Sequence, residues 1–164
     1  AVPYQASSFA RWLEEQVDAY EKLHPRTRVP FVRADVTRDG EGDDVSFACP
    51  ALEKARADQR PVLLYFGRDD RPELDRGARK QVKAARKFER STLDSKSAAK
   101  VAGGWALLRF DLGDEVHAAF AATFGVETAP ALVMVVPDAE GPEVLPARLS
   151  GASLAYHLKK HAPE

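Results

Sequence analysis

The chain of 164 residues contains one thiol, Cys49. A lone cysteine excludes an internal disulfide, a four-cysteine zinc site and a CxxC redox pair. It can still act as a nucleophile when ionised, and Cys49 stands just before a segment whose helix-terminal amides would lower a thiol pKa. A one-cysteine thiol oxidoreductase or peroxidase using Cys49 is therefore one reading. The competing one takes Phe47-Ala48-Cys49 as the setting of a small buried hydrophobe.

The other reactive side chains are charged. Arg68 to Arg76 reads RDDRPELDR. Asp69, Asp70, Glu73 and Asp75 are hard oxygen donors, yet Arg68, Arg71 and Arg76 interleave with them, which describes a solvated loop better than a cation site. No metal and no cofactor is expected. Downstream, residues placed at about 100° intervals along a helix gather Arg76, Arg79, Lys80, Lys83, Arg86, Lys87 and Arg90 into one arc. Ala78, Val82, Ala85, Phe88 and Leu93 lie opposite. Such a stripe attracts phosphate, anionic lipid or an acidic protein surface, or simply keeps a helix face in water. Arg79, Lys83, Arg86 and Arg90 mark its length.

Lys and Arg total 24 against 25 Asp and Glu, so no global charge draws the chain to nucleic acid or membrane. No aromatic residue interleaves with the stripe, which disfavours single-stranded nucleic acid further. His157 and His161 are one helical turn apart without a third ligand in view, and a cation favoured at a helix C-terminus explains them. His24 and His117 add no recognisable ligand spacing.

The elements that position these groups follow from periodicity. Phe9, Trp12, Leu13, Val17, Tyr20 and Leu23 line one helix face, with Ser7 or Ser8 as N-cap and Pro25 as terminator. Val29 to Val36 reads as a strand, with Pro30 marking an edge or strand start. Thr37 to Asp44 reads as a polar surface loop, and Pro50 to Ala57 as a short helix with proline in its first turn. Pro61 to Phe66 is an apolar run suited to a strand buried on both faces. A long helix is expected from Gly77 to about Lys96, then a second buried strand from Trp105 to Asp111. Asp114 caps a further helix, with Gly125 beyond its end. Ala131 to Val136 and Val144 to Leu149 form a strand pair before a closing helix marked by Leu154, Leu158 and His161. Strands separated by helices demand parallel crossovers and the short last connection demands an antiparallel pair, so a mixed sheet with helices on both faces is expected.

After the first helix, this order is similar to that of the thioredoxin superfamily. Ala51 to Gly67 (ALEKARADQRPVLLYFG) resembles the helix and central strand before the family's redox loop. Gly125 to Gly141 (GVETAPALVMVVPDAEG) resembles the segment that carries the family's cis-proline, here Pro130. FDLGDEVHAAFAATFGV resembles the strand and helix preceding that segment. The resemblance covers roughly residues 29–161 and implies a three-layer α/β/α domain over 29–164, with residues 1–28 adding a helix packed on it. The family's WCxxC would follow the central strand, where this chain has RDDRPELDR and neither cysteine. Dithiol exchange needs a thiolate to attack and a second thiol to resolve the mixed disulfide.

What remains of the family pattern is a binding surface, with Arg68, Asp69, Asp70 and Arg71 on the rebuilt loop and Thr128, Ala129 and Pro130 beside it. The resemblance implies that backbone next to the proline bonds an extended peptide. The expectation is a redox-inactive protein- or peptide-binding accessory module. An oligomeric scaffold is a further alternative, a homodimer in which Trp12 or Tyr20 packs against a second subunit. No apolar run reaches the roughly 20 residues that span a bilayer. The start at Ala1 fits a processed product or a trimmed chain, and both cytoplasm and export remain open.

Overall fold

Val62 to Gly67 is buried at every position, and this central strand sets the layout of the rest. The computed structural model describes residues 2–23 and 27–162. The elements are α1 (Val2–Leu23), β1 (Val32–Arg33), β2 (Thr37–Asp39), β3 (Ser46–Ala48), α2 (Pro50–Ala57), β4 (Val62–Gly67), α3 (Arg76–Phe88), α4 (Lys96–Val101), β5 (Ala106–Asp111), α5 (Glu115–Ala122), β6 (Ala131–Val135), β7 (Glu143–Val144) and α6 (Gly151–Lys160). The main sheet runs β1-β5-β4-β6-β7. β1 and β4 lie parallel to β5, and β6 and β7 are antiparallel additions.

Successive β4 side chains alternate across the sheet. Leu63 and Tyr65 join Phe88, Leu93, Trp105, Leu154 and Leu158 in one core. Val62, Leu64 and Phe66 join Leu52, Phe110, Phe120 and Val133 in the other. Both faces are therefore covered by helices, α3, α4 and α6 on one and α2 and α5 on the other, as the mixed-sheet reading requires. The second core is aromatic at its centre, with Phe66 against Phe110 at 5.1 Å and Phe110 against Phe120 at 5.3 Å between ring centroids.

Five expectations need correction. The Val29–Val36 strand shrinks to Val32–Arg33, because Val29 N–H donates instead to the Leu93 carbonyl at 3.1 Å. The Thr37–Asp44 loop is in part a strand: β2 pairs antiparallel with β3, and Gly40 and Gly42, both at positive φ, turn the hairpin between them. The Gly77–Lys96 helix is broken: α3 ends at Phe88, a π-helical turn follows over Glu89–Leu93, and α4 restarts with the Ser95 hydroxyl accepting from Ala98 N–H. The last strand is also shorter than expected. Pro146 follows Leu145, whose N–H donates to the Leu132 carbonyl at 2.9 Å.

Ser7 and Ser8 lie inside α1 rather than capping it, since the helix begins near Pro3, which the first turn tolerates. Phe9, Trp12, Leu13 and Val17 of this helix are exposed. His24, Pro25 and the side chains of Tyr20 and Leu23 lie outside the described residues. Among the described residues no helix is long and apolar enough to cross a membrane.

Asp114 caps α5 by accepting from Val116 N–H at 2.9 Å and His117 N–H at 3.2 Å, and Gly125 adopts the left-handed φ of +76° expected beyond that helix. The His117 amide holds the Asp114 carboxyl below its usual pKa, with burial opposing and the Val116 amide and the Arg71 charge assisting. A carboxylate whose folded pKa is depressed adds stability above its unfolded pKa and loses it as pH falls through the folded value. Asp114→Ala should therefore cost about 1 kcal/mol at neutral pH. The gap from wild type should narrow as the carboxyl protonates below about pH 4, which urea unfolding at neutral and acidic pH would measure.

Candidate functional site

The carboxyl ends of β4 and β5 carry the loop that the resemblance singles out, and that loop is held in place rather than free. Asp69 N–H donates to Asp111 Oδ1 at 3.1 Å. The same carboxylate accepts from Gly113 N–H at 2.8 Å and from Arg71 Nη2 at 2.7 Å. Asp111 is buried at the end of β5, so it ties the post-β4 and post-β5 turns together. His117 contributes from α5, its Nδ1 accepting from Asp111 N–H at 3.1 Å.

A second network runs beneath the loop. Arg109 bridges Asp69 at 3.0 Å and Glu89 at 3.1 Å, and Arg33 closes on the other Asp69 oxygen at 2.6 Å. The Tyr65 hydroxyl donates to Glu89 Oε1 at 2.9 Å, while the Arg109 guanidinium lies 5.4 Å from the Tyr65 ring centre. Burial first, and then the Glu89 charge, push the Tyr65 phenol well above its ordinary pKa, with Arg109 opposing. Tyr65 therefore stays a proton donor. Glu89, only 3 % exposed, comes from the π-helical turn.

Arg68 and Asp69 thus face inward as parts of the scaffold. Arg68 Nη1 donates to Gln81 Oε1 at 3.4 Å, and that oxygen also accepts from Ala129 N–H at 3.3 Å. Gln81 therefore couples the loop, α3 and the segment before β6. The Ala129–Pro130 peptide bond is cis. Thr128 is exposed, Pro130 half-buried and Ala129 buried, and the Ala129 amide, expected to be open to a peptide, is engaged by Gln81.

The outward part of the loop is different. Asp70, Arg71 and Pro72 form one wall of an open groove of about 720 Å³ whose other wall is α3 and the turn after it, with Arg79, Val82, Lys83, Arg86 and Arg90. The fold thus brings the basic stripe and half of the predicted loop residues to one place. Asp75 fixes the start of that wall, its Oδ1 accepting from Ala78 N–H at 2.7 Å as the N-cap of α3. Arg86 pairs with Asp70 at 3.2 Å. Arg79, Lys83 and Arg90 have no carboxylate partner among the described residues.

Cys49 lies elsewhere, as N-cap of α2 on the opposite face of the sheet, 3 % exposed and packed with Leu52 and Phe110 in the aromatic core. Burial pushes its thiol pKa up. The Leu52 and Ala51 amides pull the other way, and the Glu53 and Asp35 charges add to the rise. A thiol so placed is a weak nucleophile at neutral pH. An aromatic disulfide reagent should label native Cys49 much more slowly than the urea-unfolded chain. Labelling at equal rates would instead favour the one-cysteine enzyme.

Asp111, Glu89, Arg109, Arg33, Tyr65 and Gln81 are the site residues that sequence reasoning missed. Arg109 carried a signal, a charge inside the apolar run WALLRFD that requires a buried partner. Gln81 carried none.

A mixed five-stranded sheet of this order with helices on both faces is a three-layer α/β/α arrangement, and a charged loop follows its central strand where the resemblance would put a CxxC pair. No family model and no curated protein matches the chain. It is similar to a thioredoxin from Thermus thermophilus at 17% identity, over 67% of this chain and 79% of that one, with a TM-score of 0.49. It is similar to the DsbH oxidoreductase at 18%, over 68% and 78%, with a TM-score of 0.48. The C-terminal domain of DsbD from Neisseria meningitidis, in its reduced form, is 14% identical over 68% and 90%, with a TM-score of 0.45.

Proposed function

We propose that this chain is a redox-inactive thioredoxin-like accessory module that takes a protein or peptide where the post-β4 loop meets α3, beside Thr128 and Pro130. The open basic groove carries this reading, because it is a concave surface held from beneath by Asp111 and Arg109, and three of its cations, Arg79, Lys83 and Arg90, have no carboxylate partner among the described residues. With one cysteine in these residues, no second thiol resolves a mixed disulfide.

Selection from a displayed random-peptide library tests it. Wild type should enrich binders that are lost on changing Arg79, Lys83, Arg86 and Arg90 to glutamate, or on Thr128→Arg. No enrichment over an unrelated protein, or binding untouched by either change, would refute it.

A second reading rests on α1. Its exposed Phe9, Trp12, Leu13 and Val17 form an apolar stripe, which suits self-association in an oligomeric scaffold. Equilibrium sedimentation decides: Trp12→Glu should dissociate an oligomer, and a wild-type monomer at high concentration removes the idea.

A further inference from the structure

We infer that the groove recognises an acidic peptide segment about five to six residues long. The inference rests on the binding-module reading and adds to it the chemistry of the partner.

Arg79 and Arg90 are eleven positions apart, or about 16 Å at helical rise. An extended chain covers that distance in about five residues. The cations are thus strung along a line rather than converging on one point, a geometry that suits successive carboxylates better than a single phosphate group. Pro72 lines the groove between them, with the 4% of Val82 that is exposed, as a small apolar patch beside which an intervening aliphatic side chain of the peptide would lie. The protein already shows the recognition chemistry, since Asp70 places its own carboxylate on Arg86 at the groove wall.

Other polyanions fit less well. The groove lining holds no aromatic residue on which a nucleobase could stack. The large exposed apolar side chains lie on α1, β1, β7 and α6 rather than on α3, so this face has no wedge for insertion into a lipid surface.

The test is fluorescence anisotropy with a labelled Glu-Asp-Leu-Glu-Asp-Glu peptide and its Gln/Asn counterpart, with phosphatidylserine vesicles and a single-stranded oligonucleotide as competitors. Wild type should bind the acidic peptide and not the amide version, with affinity falling steeply as salt rises, because exposed charges are screened within about 8 Å at physiological ionic strength. Arg79→Glu, Lys83→Glu and Arg90→Glu together should weaken binding by about tenfold or more, and Lys83→Gln alone by about twofold. Asp70→Asn frees Arg86 and should tighten binding about two- to threefold. All these side chains are at least partly exposed, and matching thermal melts would show that the variants fold.

Equal binding of the amide peptide overturns the inference. So does failure of the acidic peptide where vesicles or oligonucleotide bind. If library-selected neutral peptides bind and depend on Thr128 or the stripe while the acidic probe does not, the acidic-partner inference fails and the module stands. If nothing binds, both fail.

Discussion

Arg109→Leu is expected to destabilise the domain by about 3–5 kcal/mol, the usual result of stripping one partner from a buried ion pair. Glu89 is 3 % exposed, and without Arg109 its carboxylate keeps only the Tyr65 hydroxyl. Asp69 retains Arg33, so the damage centres on Glu89. Equilibrium urea unfolding would show a lower midpoint with an unchanged slope. Adding Glu89→Gln should recover part of the loss, because an amide can accept from Tyr65 without carrying an unpaired charge. A cost below about 1 kcal/mol would place this network among ordinary surface pairs. The loop should also loosen, since Asp69 links it to Arg109. Faster hydrogen exchange at the Asp69 amide, now bonded to Asp111, would report that directly.

Trp105→Ala should cost about 3–5 kcal/mol, the range for removing a large aromatic from a core. Trp105 is 2 % exposed and shares a core with Leu93, Leu154 and Leu158. Its indole N–H donates to the Leu158 carbonyl at 3.3 Å, so the substitution also takes a donor from the end of α6. Against a total stability of about 5–15 kcal/mol for a typical domain, the variant would stand close to unfolding at 37 °C. Trp105→Phe keeps most of the volume and should lose about 1 kcal/mol with the hydrogen bond. The other tryptophan, Trp12, is 52% exposed, so fluorescence separates them: Trp105→Phe should leave only red-shifted, water-exposed emission.

The elements legible in the sequence are those whose apolar residues make a continuous or periodic signal. Pro61 to Phe66 suits a strand buried on both faces, and Val62–Gly67 is one; Asp114 and Gly125 bracket α5 by known end chemistry. The β2–β3 hairpin was not legible because it is mostly exposed, which leaves no apolar alternation to read, although Asp39-Gly40 is a turn signal. The break in the long helix was hidden differently. Ala78, Val82, Ala85 and Glu89 share one face at helical spacing, and a buried glutamate there reads as surface until its partner twenty positions later is known. The stripe was visible from charge periodicity, but its meeting with Asp70, Arg71 and Pro72 depends on the path of the loop. That path is set by Asp111, Gln81 and Arg109 across sequence separations that no local pattern encodes.

The two outer strands, β1 and β7, are each two residues long. Prolines stand close by at Pro30, Pro142 and Pro146, and a proline offers no N–H for a ladder. Margins this short and flanked by proline offer few free amides to a strand laid along them, which disfavours strand addition, a common route to peptide capture and to runaway fibre growth alike. A partner taken up in the proposed groove would then be read by side chains rather than by main-chain hydrogen bonds, and its selectivity would be open to change by single substitutions on α3 that leave the scaffold untouched.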